Sequence, residues 1–347
     1  MRRQLVGALF VLLSCTGPRR ALNPEHAPKV VSLCAAGVLC PDTVFVEYLG
    51  VHGFVLRHGA TAVMTAPLFT HRGLLPTYLG FTFRSDTTLV DRILRQLGSP
   101  VHDVSTMLVG HSHYDHALDV PYIARKYLDG DARVVGTPAL GHILAAEPRI
   151  SPKVLAIPAD DVGTASQLGK WVYAHDGRSR VMALASSHAP NFLSITFASG
   201  GVDTNLKTLP RSARGWKLGE VYAYVVDFIR TDSTPEFRFV FQDAVSRPEY
   251  NRLPPFSDKD VHAVNLAVIC AGNFNKAKDY PQTLLTEMHP EHVIVGHWDD
   301  FFDEWETSPD VVILTKTKDL AHRLDSLASG KWQTLFPGAR ARIAFRP

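Results

Sequence analysis

Three histidines and one aspartate fall within six residues of this chain, in the run His111-Ser112-His113-Tyr114-Asp115-His116. The run follows an apolar stretch that predicts a buried strand and precedes a stretch with helical spacing. Alternate side chains of an extended chain point to the same side, so His111 and His113 can hold one cation. The start of the helix carries Asp115 and His116 to a second position beside the first. Imidazoles and carboxylates are the ligands that zinc prefers, so the run predicts a metal site in a strand-to-helix loop.

The alternative for the same run is a solvated or capping cluster, in which Asp115 serves the following helix as its N-cap. Four ligand-type side chains crowded at one strand end would then repel one another with nothing gained. Metal binding is therefore the favoured interpretation of the run.

The run resembles the His-x-His-x-Asp-His signature of the metallo-β-lactamase superfamily. That resemblance implies a four-layer αββα sandwich, with the metal site at the edge between the two sheets. It also implies three further ligands downstream, each at the end of a strand. The sequence offers one candidate for each of them in the expected order: His188, Asp243 and His297.

The resemblance also assigns these candidates to metals. His188 would complete the first metal with His111 and His113, and Asp243 would bridge both metals. His297 would complete the second metal with two residues of the run, Asp115 and His116. A lone histidine or aspartate after a strand is more often a turn residue, but the preceding signature favours the metal-ligand interpretation.

Within the superfamily, the details are most similar to the branch that holds N-acyl-phosphatidylethanolamine-hydrolysing phospholipase D and the ascorbate-phosphate lactonases. The similarity spans about Val44 to Phe302 and includes three supporting pieces: Val51-His52-Gly53-Phe54, Ala66-Pro67-Leu68-Phe69 and the segment from Trp216 to Tyr222. One departure is Thr65, since the family usually places an aspartate at the end of the third strand to support the metal loop. Because losses among such supporting groups commonly cost about 10–100-fold in affinity or activity, the departure predicts lower metal occupancy.

The resemblance implies a hydrolase with two Zn²⁺ ions per chain and a metal-bound hydroxide as nucleophile. Mn²⁺ or Fe²⁺ suit the same ligands. Asp243 would orient the hydroxide, and Asp115 or Asp243 would relay the proton to the leaving group. A phosphodiester or a lactone or ester is the expected substrate. The alternatives are a periplasmic β-lactamase and, from another class, a membrane-tethered metal-binding scaffold without activity.

The rest of the chain predicts a layered α/β architecture in one domain from residue 23 to 347, with no internal repeat. Helices are predicted at 86–97, 117–128, 138–146, 280–288 and 315–327. Strands are predicted at 43–49, 53–57, 60–65, 104–109, 133–136, 154–157, 181–185, 193–198, 221–229, 237–241, 264–269 and 293–295.

Residues 1–22 predict a signal peptide and tether, because Arg2-Arg3 precede an apolar run from Leu5 to Leu13 that is too short to span a bilayer. The segment before Cys15 resembles a bacterial lipobox, which implies lipid attachment at Cys15 and a periplasmic or outer-membrane location; the alternative is an ordinary secretory signal. A disulfide between Cys34 and Cys40 is plausible in that compartment. Cys270, within an apolar run, predicts a buried small side chain rather than a nucleophile.

Lys and Arg number 36 against 34 Asp and Glu, and no basic block interrupts this balance. A nucleic-acid footprint needs a basic stripe, so no nucleic-acid partner is expected. A small-molecule or lipid-like substrate is expected instead. Its predicted pocket walls are the apolar loop 68–84 and the basic segment 200–219, whose cations are Lys207, Arg211, Arg214 and Lys217. His71 and Arg72 are further candidates to approach the metals.

Overall fold

The computed structural model describes residues 43–98, 101–190, 197–306, 309–313 and 315–345. The signal peptide, the lipid-attachment site at Cys15 and the Cys34–Cys40 pair lie outside the described residues. So does most of the strand predicted at 193–198, of which the two described residues form a turn. In the described part of the chain, no helix is long and apolar enough to cross a membrane.

The first sheet has seven strands in the order β14-β1-β2-β3-β4-β5-β6. Its β14, β1, β2 and β3 are antiparallel neighbours, and β3 to β6 run parallel. The strands are β1 (Thr43–Gly50), β2 (Gly53–His58), β3 (Thr61–Thr65), β4 (Val104–Leu108), β5 (Arg133–Gly136), β6 (Val154–Ala156) and β14 (Arg340–Ala344).

The second sheet also has seven strands, in the order β13-β12-β11-β10-β9-β8-β7. Here β7 to β10 are antiparallel and β10 to β13 are parallel, so β8, β10, β11 and β12 all run in one direction. The strands are β7 (Val172–Tyr173), β8 (Ser179–Ala185), β9 (Tyr222–Ile229), β10 (Pro235–Phe241), β11 (Leu266–Cys270), β12 (His292–Gly296) and β13 (Trp332–Thr334).

Seven helices are found among the described residues: α1 (Leu74–Leu79), α2 (Thr87–Leu97), α3 (Tyr114–Ala117), α4 (Val120–Lys126), α5 (Pro138–Leu144), α6 (Gln282–Met288) and α7 (Thr317–Leu327). Asp86 caps α2 by accepting a hydrogen bond from the Leu89 amide at 3.0 Å. The helix predicted at 117–128 is confirmed over Val120–Lys126 (α4), while Ala117 belongs to the separate helix α3. Pro121 lies in the first turn of α4, where its missing amide is tolerated.

Alternate residues of the first sheet pack into different apolar clusters, as the period of a strand requires. Val46 and Leu56 belong to the cluster shared with the second sheet, which also includes α6 and α7 residues. Val55 and Met107 belong to a cluster formed with α2, α4 and α5. Helices therefore cover the outer face of each sheet, and the predicted αββα sandwich is confirmed.

Candidate metal centre

The predicted metal ligands come from loops that follow four strands. His111 and His113 lie between β4 and α3, and Asp115 and His116 lie within the single turn of α3. His188 follows β8, Asp243 follows β10 and His297 follows β12 directly. Because β8, β10 and β12 run in the same direction, their carboxyl ends meet at one edge of the second sheet, opposite the end of β4. The fold thus brings all seven residues together.

One group of three histidines consists of His111, His113 and His188, each of which offers a nitrogen within 4.8 Å of the others. Nε2 of His111 lies 3.2 Å from Nδ1 of His113. The ring centroid of His188 is 5.0 Å from the ring of His111 and 5.0 Å from that of His113. These are the three residues that the family resemblance assigns to the first metal.

A second group consists of Asp115, His116 and His297, whose ligand atoms also lie within 4.8 Å of one another. Oδ2 of Asp115 is 3.6 Å from Nε2 of His116 and 3.4 Å from Nε2 of His297. The N-cap residue of α3 is His113 and not Asp115, so Asp115 lies within the helix. The capping interpretation of Asp115 is therefore wrong.

Asp243 lies between the two groups. Its Oδ2 is 2.6 Å from Nδ1 of His111, and its Oδ1 is 3.0 Å from Nδ1 of His116. A Cβ at Gly110 would lie 2.3–2.5 Å from the Asp243 side chain, so only glycine lets the β4 loop approach this carboxylate so closely. The bridging role of Asp243 stays a prediction.

Burial and neighbouring charges set the protonation of the cluster. Desolvation lowers the pKa of His111 and His113, and it lowers the pKa of His188 to about 3. The first group is therefore neutral at physiological pH, as metal ligands must be. Desolvation also opposes a charge on His116, but Asp243 and Asp115 overcome it and raise the pKa of His116. Desolvation likewise favours the neutral form of Asp243, but His116 and His111 overcome it and hold its pKa well below the usual range.

The donor set fits a divalent cation. Nε2 of His113 is buried and has no hydrogen-bond partner among the described residues, and the same holds for Nδ1 of His297. The other ring nitrogens, Nδ1 of His113 and Nε2 of His297, face the neighbouring ligand residues and would hold the cation. Neutral imidazoles and ionised carboxylates are hard-to-borderline ligands of the kind that Zn²⁺, Mn²⁺ and Fe²⁺ accept. The assignment of each residue to a metal stays a prediction.

Other sequence-based candidates lie elsewhere. The Thr65 hydroxyl donates to the His52 carbonyl at 2.7 Å and accepts from the Phe54 amide at 2.8 Å, so it supports the β1–β2 turn. His71 bonds to the carbonyls of Asp303 and Leu68. Arg72 is exposed. Cys270 is buried as predicted, and burial raises the pKa of its thiol.

His52 is the buried residue beside the centre whose role the sequence analysis missed. Its Nε2 lies 3.0 Å from the carbonyl of Gln242, the residue before Asp243. A Cβ at Gly296, the residue before His297, would lie 2.5 Å from its Nδ1. Desolvation lowers the pKa of His52 to about 3, so it is a neutral imidazole. A histidine in the turn between two buried strands was the available signal.

A cavity of about 310 Å³ opens from the centre, with five of the seven candidate ligands in its wall. Its other walls are largely apolar and include Leu74, Tyr78, Phe301, Phe302 and Val312. The prediction that loop 68–84 forms a cavity wall is therefore correct in part, because residues of α1 line the cavity. The basic segment 200–219 contributes none of the residues that line this cavity, and Nε of its Arg214 instead donates to the Tyr78 carbonyl.

No family model and no curated protein sequence matches the chain. Among solved structures, the chain is similar to Igni18, a novel metallo hydrolase from the archaeon Ignicoccus hospitalis, with 13% identity, a TM-score of 0.48, and 88% and 100% of the two chains covered. The metallo-β-lactamase fold protein YhfI from Bacillus subtilis has 10% identity and a TM-score of 0.45, with 86% of this chain and 99% of that chain covered.

A third similar structure is CmlA, a diiron β-hydroxylase from Streptomyces venezuelae, with 15% identity and a TM-score of 0.47. The match covers 88% of this chain and 55% of CmlA, so the chain spans about half of that protein. At these identities and TM-scores the similarities carry no argument about activity. The layer order and strand topology described above define the fold class.

Proposed function

We propose that this protein is a metal-dependent hydrolase with a two-metal centre, and that zinc is its first-choice metal. One observation carries the proposal: two groups of three ligand-type residues, each buried or half-buried, lie on either side of Asp243, and members of both groups line an open cavity. Structural metal sites are closed by protein ligands, whereas catalytic sites keep an open position toward a cavity. The cavity beside this centre supports the catalytic alternative over a metal-binding scaffold.

Two divalent cations bound here would polarise an ester or phosphate oxygen and activate water at neutral pH. Asp243 contacts one histidine of each group and would orient the attacking water. Asp115 lines the cavity, and its pKa is lowered by His116 and His297 against the effect of desolvation, so it is an ionised base at neutral pH. As a carboxylate it would accept a hydrogen bond from the attacking water and relay the proton of that water to the leaving group.

The cavity walls support a substrate with an apolar substituent. Leu74, Tyr78, Phe301 and Phe302 line the same cavity as the ligands, so an acyl or aryl group would pack against them while the scissile bond reaches the centre. Among the described residues, none that lines the cavity is a lysine or arginine. A lactone or carboxylic ester is therefore favoured over a phosphodiester, whose charge would meet no side-chain cation.

The test uses the full-length chain, elemental analysis of bound metals, and three substrates: an aryl ester or lactone, bis-p-nitrophenyl phosphate and nitrocefin. We expect about two metals per chain and hydrolysis of the ester or lactone. His113→Ala removes a direct ligand and should lower activity by more than about 100-fold, since losses beyond the ligands already cost about 10–100-fold. His175→Ala, an exposed histidine paired with Asp131, is the matched control and should change neither quantity.

Turnover of nitrocefin alone would make the protein a β-lactamase instead. About two metals with no turnover of any substrate would favour the metal-binding scaffold. A chain that takes up no metal, or a His113→Ala variant that hydrolyses as fast as the parent, would contradict the proposed centre.

A further inference from the structure

Three strongly exposed apolar side chains lie close together on and just after α1. Leu75 is 68% exposed, Leu79 is 69% exposed and Phe81 is 62% exposed. We call these three residues the apolar rim. Leu75 also lines the cavity, together with its neighbours Leu74 and Tyr78. The apolar rim therefore continues the apolar wall of the cavity outward to the surface, and such exposed patches commonly mark an interaction site.

Arginines surround the apolar rim. Arg72 and Arg84 flank it in the sequence, and the Arg72 guanidinium lies 6.0 Å from the Phe83 ring centroid. Nε of Arg214 donates to the Tyr78 carbonyl at 3.0 Å, and the Arg211 carbonyl accepts from the Phe83 amide at 2.7 Å. The segment that carries these last two arginines therefore packs directly against α1 and the residues after it.

The region around the apolar rim is more positively charged than the rest of the chain. Segments 71–85 and 209–217 contain five Lys or Arg residues and no Asp or Glu, which gives them a formal charge of +5. The whole chain has +2, so the remainder carries −3. Two exposed acidic residues, Asp303 and Glu304, lie close to this region, since the Asp303 carbonyl is 2.8 Å from Nδ1 of His71. The five cations outnumber these two carboxylates, so the surface around α1 keeps a net positive charge.

We propose that the apolar rim and its four arginines form a docking surface for an anionic lipid bilayer. Apolar side chains on a short element would enter the boundary between headgroups and acyl chains, while the arginines contact anionic headgroups. Docking in this way would place the cavity mouth against the bilayer. Delivery of a lipid-borne ester to the centre rests on the proposed function, whereas binding to the bilayer does not.

Charge favours lipid over two other occupants. Residues 1–42 contain five Lys or Arg and two Asp or Glu, so this segment would be repelled by the arginines. A second copy of the chain, placed by a two-fold axis, would bring its own arginines against the same four. An anionic surface is the partner that complements both the apolar and the charged parts.

The test is sedimentation of the full-length chain with sucrose-loaded vesicles of phosphatidylcholine and of phosphatidylcholine with 30% phosphatidylglycerol. All variants carry Cys15→Ser, so that no lipid is attached at that residue. The triple variant Leu75→Ser, Leu79→Ser, Phe81→Ser removes the apolar rim. The matched control is Leu168→Ser with Val261→Ser, two exposed apolar residues elsewhere. Circular dichroism of each variant checks the fold.

We expect the parent and the control to bind the anionic vesicles and the triple variant to bind at least about tenfold more weakly. Arg84→Ser with Arg211→Ser should weaken binding to anionic vesicles by roughly 25-fold and leave binding to neutral ones unchanged. Equal binding by parent and triple variant would overturn the proposal, as would no binding to either vesicle. A change from dimer to monomer in the triple variant without vesicles would assign the surface to a second copy instead.

Discussion

Two buried polar clusters of this protein include residues of the second sheet or of the loops at its strand ends, and their hydrogen bonding differs. The candidate metal centre leaves two imidazole nitrogens without hydrogen-bond partners among the described residues. The other cluster is a cross-strand row on β8, β9 and β10, formed by Arg180, Asp227 and Arg238. Both oxygens of Asp227 accept from guanidinium groups, at 2.7–3.0 Å.

The arginine row is closed on every side. Arg180 also bonds to the Asp260 carboxylate at 2.8 Å, and Arg238 bonds to the Asp260 carbonyl at 2.9 Å. The two guanidinium groups stack 4.1 Å from the ring centroids of Trp171 and Phe256. Its charges are neutralised and bonded within the protein, which makes it a structural cluster. The metal centre, with unused nitrogens and a cavity beside it, has the features of a ligand site.

The largest expected effect of a single change is that of Asp227→Ala. It leaves two buried guanidinium groups without their shared carboxylate, and breaking one partner of a buried ion pair costs about 3–5 kcal/mol. Urea denaturation should show a loss of this size in the free energy of unfolding. The metal content of the folded protein should stay unchanged. If Asp227→Ala instead released metal while the protein remained stable, the division between the two clusters would be wrong.

A smaller effect is expected from His52→Phe, which keeps an aromatic ring 4.7 Å from Phe241 but removes the contact with the Gln242 carbonyl. Because His52 lies behind the residues that carry Asp243 and His297, we expect metal affinity to fall about 10–100-fold. Competition with a chromophoric chelator measures the dissociation constant. His52→Gln should recover part of the affinity by restoring a donor.

The matched control for that experiment is His58→Gln. His58 belongs to the same hairpin and bonds to the Thr43 carbonyl at 2.9 Å, far along the strand from the centre. Equal losses of metal affinity in the two variants would mean that the hairpin as a whole, rather than the contact of His52, supports the ligands.

The smallest effect concerns acid stability. Desolvation opposes the charge of Asp260, but the Ser257 hydroxyl and Arg180 overcome it and lower the pKa of this carboxyl. A carboxylate whose pKa is lowered by folding stabilises the fold at pH values above its unfolded-state pKa of about 3.9. This stabilisation is lost as the pH falls through the folded-state pKa. Asp260→Asn should cost about 1 kcal/mol at pH 7 and progressively less below about pH 4. A cost that is independent of pH would remove the electrostatic explanation.

The residues of the candidate centre could be predicted from the sequence because their pattern is local. The run at 111–116 is self-evident, and the other three candidates each follow an apolar strand that periodicity detects. His52 was harder to predict, since its function depends on Gln242 and Gly296, which lie about 190 and 244 positions away in the sequence. The turn between two buried strands indicates that His52 is buried, but it does not show that His52 contacts the Gln242 carbonyl.

Some elements were missed for the same physical reason. In β14, Arg340 and Arg342 alternate with buried residues, and the strand is stabilised by pairing with β1 and by the contact of Arg340 with Glu47 at 2.9 Å. Such distant partners leave no local signal. The short helix α1 was also missed, because Gly73 and Gly80 at its ends and Pro76 within it favour a loop prediction. The basic segment 200–219 was predicted to form a cavity wall from its composition alone. Composition does not show which way the side chains of a segment point.

The pairing of β14 with β1 also bears on the order in which the protein can be made. During synthesis from the N-terminus, β1 emerges early, but its partner at 340–344 leaves the ribosome last among the described strands. Until then, β1 is an open edge with the apolar side chains Val44 and Val46, ready to pair with other nascent chains. Early termination before residue 340 would leave that edge permanently uncovered, so such products should be recovered from cells as aggregates or through chaperones.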